Sequence, residues 1–154
     1  MRFKTDEANW DLTGYAQYLK TILHQFDTDT ASFLLNTSFH DGYIKEMKLI
    51  NHFDGPDPTT LKMIIEHSDE TIYEVLWHHV RRFLFDFDIT RHVYANLNEI
   101  VADGTRGIDE WGCDEIEQIA DGLLFHEIEL FSETKIHIVC RKIEIKRILN
   151  DPLC

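Results

Sequence analysis

Leu123-Leu124-Phe125-His126-Glu127-Ile128-Glu129-Leu130-Phe131, then Ser132-Glu133-Thr134, then Lys135-Ile136-His137-Ile138-Val139-Cys140 is the stretch that decides the fold. Leu124, His126, Ile128 and Leu130 alternate with Phe125, Glu127, Glu129 and Phe131, and Ile136, Ile138 and Cys140 alternate with Lys135, His137 and Val139. Successive side chains of a strand point to opposite faces, so a period of two marks two half-buried strands, and the polar triplet between them makes the turn. Ile143, Ile145 and Ile148 carry the pattern onward.

Working back toward the N-terminus, the same period returns. Ile44, Met47, Leu49 and Ile50 predict a strand through His52, although Glu46 breaks the alternation. Asp54-Gly55-Pro56-Asp57-Pro58 reads as a loop, and Leu61, Met63 and Ile65 as a second strand joined through Ser68-Asp69-Glu70 to a third. Residues 71–87 are the longest extended candidate. Their two halves, around Ile72, Leu76 and Trp77 and around Phe83, Phe85 and Phe87, agree only with a bulge or break near His78-His79. Residues 90–107 fit helix or strand, and a strand is expected from Arg106-Gly107 through Trp111, Ile116 and Ile119 to the Asp121-Gly122 turn.

The N-terminal segment has a different period. Trp10, Leu12, Tyr15, Leu19, Ile22, Leu23 and Phe26 recur at mostly three and four residues, the stripe of an amphipathic helix. Asn9 or Asp11 is placed to cap its start, Gly14 weakens it by about 1 kcal/mol relative to Ala, and Asp27-Thr28-Asp29 ends it. Phe33-Leu34-Leu35 leads into a turn at His40-Asp41-Gly42, where Gly tolerates a positive φ. The expectation is one α+β domain over residues 1–154, a mainly antiparallel sheet of six or seven strands with the N-terminal helix packed on one face.

With 154 residues and 44% apolar side chains the chain can build a proper core. Its 28 acidic against 15 basic residues leave a formal charge of −13, the wrong sign for a phosphate backbone, so nucleic acid is excluded as a partner. No apolar run approaches the roughly 18–20 residues that span a bilayer, and the opening Met1-Arg2-Phe3-Lys4-Thr5-Asp6-Glu7 is too polar for a secretory leader. Three widely spaced cysteines, Cys113, Cys140 and Cys154, suit reduced thiols in the cytoplasm.

Nine histidines raise metal binding and acid–base chemistry. There is no His-Glu-x-x-His or Cys-x-x-Cys, and adjacent His78 and His79 point to opposite faces of a strand. His126 lies on the apolar face of the best strand, where a hydrogen-bonded core histidine is expected. A metal-dependent or His-assisted hydrolase built on His40, Asp41 and His126 is the second reading, and an aromatic pocket of Trp77, Phe83 and Phe85 a third. No nucleophile elbow or phosphate-cradling loop is present, so no catalytic residue and no cofactor is assigned.

The charge pattern points elsewhere. From Glu99 to Asp121 eight carboxylates face Arg106 alone, a net −7, whereas Lys135, Arg141, Lys142, Lys146 and Arg147 make the C-terminal strands basic. Asp109, Glu110, Asp114 and Glu115 around Trp111 predict an acidic docking surface for a basic partner protein, with Trp111 as its anchor. Homo-oligomerisation is left open.

Ser38-Phe39-His40-Asp41-Gly42-Tyr43-Ile44 and Leu123–Ser132 resemble a group of small bacterial domains of immunity type. In that group a His-Asp-x-x-Ile turn opens an antiparallel sheet and a His-Glu-Ile strand closes it. The resemblance implies a cytoplasmic protein that binds and neutralises a toxin domain, and it carries over no catalytic residue.

Overall fold

The computed structural model describes residues 1–91, 94–96, 99–100 and 107–148. Two helices come first, α1 (Leu12–Ile22) and α2 (Thr28–Asn36). The strands follow: β1 (Tyr43–Asn51), β2 (Thr59–Glu66), β3 (Ile72–His78), β4 (Arg82–Asp86), the short β5 (Tyr94–Asn96) and β6 (Glu99–Ile100), then β7 (Trp111–Ala120), β8 (Leu123–Leu130), β9 (Lys135–Cys140) and β10 (Lys142–Ile148). The fold is α+β with mainly antiparallel sheet. Its eight principal strands form two sheets, ordered β1-β2-β3-β10 and β4-β9-β8-β7, rather than a single sheet of six or seven. Among the described residues no helix is long and apolar enough to cross a membrane.

The break near His78-His79 explains the division. His79 takes a left-handed backbone with φ 54°, and the chain leaves one sheet for the other. β3 pairs with β10 and β4 with β9, so the two long segments bend together: His78 opposes Lys142 before the corner and Arg82 opposes Val139 after it. Backbone hydrogen bonds from Arg81 to Val139 (2.8 Å) and from Arg141 to His78 (3.1 Å) carry the pairing around the bend. Asp57 braces it against the side chains of Arg81 and Arg141 at 3.3 and 2.9 Å. The sheets meet again where Tyr43 of β1 bridges Glu110 just ahead of β7. Between them lie Leu61, Met63, Ile65, Val75, Trp77, Ile116, Leu124, Ile128, Ile136, Ile138 and Ile143, a shared apolar core that supplies most of the driving force for folding.

Within β1 the register shifts between Ile44 and Glu46, a bulge that accounts for the broken alternation there. Asp27-Thr28-Asp29 does end the first helical run, but it also starts a second. The Asp27 carboxylate accepts from the Thr30 amide at 2.9 Å and caps α2, so Phe33-Leu34-Leu35 is helical. The His40-Asp41-Gly42 turn also differs from expectation. Asp41, not Gly42, holds the positive φ of 63°, and Gly42 is required because a Cβ there would lie 2.8 Å from the Phe39 carbonyl oxygen. Of the ambiguous 90–107 segment, the described parts are the end of a 3-10 helix (Ile89–Arg91), the short strands β5 and β6, and Gly107; Arg106 lies outside the described residues.

The helices bury Tyr15, Leu19, Ile22 and Phe33 in the core and are also tied to two sheet edges by polar contacts. Tyr15 and Tyr18, three apart on α1, accept the outward amides of Ile116 and Gln118 on β7, each at 2.8 Å. Thr30 of α2 accepts the amide of Ile145 on β10 at 2.9 Å. These hydroxyls satisfy edge amides that would otherwise be buried unpaired or open to another strand.

Candidate functional site

Where α1, α2 and the 37–40 segment lean on the beginning of β7, they leave a cavity of about 480 Å³. Its walls are Leu12, Tyr15 and Leu19 of α1, Phe33 and Leu35 of α2, and Phe39 and Ile145. A second cavity of about 230 Å³ shares Lys4, Trp10, Gly112 and Cys113 with it and runs on toward Glu129, Phe131 and Glu133. Together they form a groove with an apolar floor. Two leucines on its rim stand in solvent, Leu12 at 57% and Leu35 at 40% exposure. Gly112 lines both cavities and is packed tightly on β8, where a Cβ would come within 2.9 Å of the Glu129 carbonyl.

A chain of hydrogen bonds backs the larger cavity. The Trp77 indole N–H donates to His126 Nδ1 at 3.0 Å, His126 Nε2 donates to Asp114 Oδ2 at 2.8 Å, and the Trp111 indole N–H donates to Asp114 Oδ1 at 3.1 Å. An indole can only donate, so His126 keeps its proton on Nε2 and both ring nitrogens are committed. Burial alone would raise the Asp114 carboxyl. The hydrogen bond from His126, with Lys4 and Trp111, outweighs burial and holds the group below its ordinary value. Lys4 donates from Nζ to the Asp114 backbone carbonyl at 2.8 Å, with its ammonium 4.7 Å from the centre of the Tyr15 ring. Burial and the nearby Asp114 push the Tyr15 phenol well up, and burial pushes the Cys113 thiol up to about 11, so neither is an activated nucleophile.

The five residues read as an acidic docking surface are not one. Asp109 is buried and accepts from the Ser132 amide and hydroxyl, both at 2.6 Å, clamping the β8–β9 turn. Glu110 accepts from the Tyr43 hydroxyl at 2.5 Å, which raises the Tyr43 phenol. Trp111 is wholly buried in the core, where it holds Asp114. Glu115 is buried under the N-terminal segment and accepts the amides of Arg2, Phe3 and Lys4 at 2.6, 2.7 and 2.5 Å. Each has a partner within the chain; the neighbours Asp114 and Glu115 fall on opposite faces of β7, one toward His126 and the other toward the N-terminal segment.

His40 and His126 do line one cavity, but differently. His40 is exposed, its Nδ1 donating to the Gly112 carbonyl at 2.5 Å and its Nε2 lying 3.5 Å from Asp41. His126 has no nitrogen left for a metal or a proton transfer. Among the described residues no three His, Cys, Asp or Glu side chains are placed to hold a metal ion. Trp77 and the Phe83, Phe85 and Phe87 rings do not enclose a common pocket either: Trp77 is in the core against His126, and the three phenylalanines stack along β4 and its continuation.

Trp10, Leu35 and Lys4 entered the sequence reading only as helix stripe, apolar run and polar leader. One signal for the groove was present. Three consecutive apolar residues, Phe33-Leu34-Leu35, cannot all face inward from a helix, so one had to be left outside. The arrangement can hold an apolar group between the helices and present Glu133, and Glu129 at 3.9 Å from Lys135, to a cation at the rim; among the described residues lining either cavity Lys4 is the single lysine or arginine. No protein-family model matches the chain, and the searches of curated proteins and of solved structures return no similar protein.

Proposed function

We propose that this chain is a cytoplasmic protein-binding domain, of the bacterial immunity or antitoxin kind, that captures a basic, partly apolar segment of a partner in the groove under α1 and α2. The observation that carries the reading is the open groove itself, with Leu12 and Leu35 exposed on its rim. An enclosed small-molecule site would bury such side chains, whereas a partner's surface covers them. Glu133 and Glu129, the latter 3.9 Å from Lys135, at the rim of a chain of charge −13 supply the sign of the partner.

Titration with an amphipathic lysine–leucine peptide tests the chemistry. Trp77 and Trp111 are fully buried, so a change in emission on binding reports Trp10. Binding is expected to weaken about tenfold in a Glu129→Gln/Glu133→Gln variant and again in Leu35→Asp. A glutamate–leucine peptide that binds equally well, or affinity untouched by these variants, would overturn the groove as a basic-segment site. The immunity role makes a further demand: the chain must protect a host producing the toxic protein encoded beside it, and the same variants must lose that protection.

A further inference from the structure

The fold closes two of its outer sheet edges with side chains, Tyr15 and Tyr18 on β7 and Thr30 on β10. The outer edge of β1 is different. Among the described residues it is met only at Tyr43, by Glu110, and from Lys48 to Asn51 the strand is exposed. Leu49 is 58% exposed, Ile50 lies beside it, and Phe53 just beyond is 89% exposed. Phe53 sits on a left-handed backbone, φ 56°, that a bulky residue rarely adopts, and the Asn51 side chain accepts its amide at 3.1 Å. The loop therefore presents an aromatic ring to solvent next to an open strand.

Lysines usually guard such an edge by their charge. Here each is neutralised from within the chain, Lys45 by Glu66 at 2.8 Å and Lys48 by Glu46 at 2.7 Å. We infer that the β1 edge is a self-association surface, on which β1 of a second copy pairs antiparallel about a two-fold axis through Leu49. This register sets Leu49 on the second copy's Leu49, Ile50 along the stem of its Lys48 and Asn51 across from its Met47, with Phe53 just beyond the paired residues, so the patch complements itself. An axis through Lys48 would oppose two ammonium groups. An axis through Met47 would bring Asn51 onto the second copy's Tyr43, where Glu110 already sits. The Leu49 axis avoids both and covers the exposed apolar side chains with their own counterparts.

Sedimentation across a concentration series is expected to show a monomer–dimer equilibrium. Leu49→Asp sets two carboxylates face to face and is expected to raise the dissociation constant about 100-fold while circular dichroism is unchanged. Directly opposed Cβ atoms lie about 4.5–5.5 Å apart, within a small adjustment of disulfide geometry. Leu49→Cys in a Cys154→Ser chain is therefore expected to cross-link two copies on mild oxidation, and Ile119→Cys, exposed on β7, is not. A chain that sediments as a monomer throughout, or a Leu49→Cys variant that cross-links no faster than Ile119→Cys, would overturn the inference.

Discussion

Asp114 shows how a single residue can look like surface in sequence and act as structure in the fold. It sits in the most acidic stretch of the chain, yet its two oxygens accept from His126 and Trp111. Its folded-state carboxyl titrates below its ordinary value, so ionisation stabilises the fold: the contribution is full above the ordinary value and disappears as pH falls through the lowered one. Asp114→Asn keeps the shape, loses the charge and turns an amide toward one of two donors. It is expected to cost about 2–4 kcal/mol at neutral pH and to flatten the acid side of the stability profile, both measurable by urea unfolding between pH 7 and pH 3. An unchanged acid limb would show that Asp114 is not ionised in the fold.

At the level of elements, the N-terminal segment and α1 are tied to β7 by polar groups as much as by packing. Glu115 opposes Glu127 across the β7–β8 pair, a repulsive juxtaposition of like charges. The chain compensates by laying its first residues over them, three amides on Glu115 and the terminal ammonium on Glu127. Glu115→Ala is expected to release residues 1–4, seen as faster amide exchange and proteolysis there, with a loss of about 2–3 kcal/mol. The β7 edge depends similarly on α1. Tyr15→Phe removes the acceptor for the Ile116 amide and is expected to cost about 1–3 kcal/mol in thermal or chemical unfolding, since that buried amide is left unpaired.

For the whole molecule the charge of −13 has a different meaning from the one its local clustering suggested. Four of the acids densest in sequence, Asp109, Glu110, Asp114 and Glu115, are paired inside the fold, and Glu129 and Glu133 stand at the groove. Association driven by such exposed carboxylates is screened within about 10 Å at 0.1 M salt. Binding of the basic peptide is therefore expected to fall steadily with ionic strength, mainly through its on-rate, whereas self-association through the apolar β1 edge is expected to hold. Stopped-flow and sedimentation at matched salt series separate the two surfaces.

The eight principal strands of this protein and the β8–β9 hairpin were legible in the residues, because alternation reports directly which face of a strand is buried, whereas the segment holding β5 and β6 fitted helix or strand. Even the bulge at Lys45 and the break at His79 left traces, as a lapse and a reversal of that period. The second helix was hidden because Asp27-Thr28-Asp29 serves equally to stop one helix and cap the next, and local chemistry does not say which. The division into two sheets, the tyrosine-capped edge of β7 and the fate of the acidic run were settled only in three dimensions. A carboxylate's role depends on which donor the tertiary fold brings to it, and the donors for Asp109, Glu110, Asp114 and Glu115 come from Ser132, Tyr43, His126 and the N-terminal amides, most of them far away along the chain. Sequence by itself determined the alternating faces and hence the class of fold, because those are local and periodic. The tertiary structure decided which charges remain outside, because pairing at a distance has no signature in the order of residues.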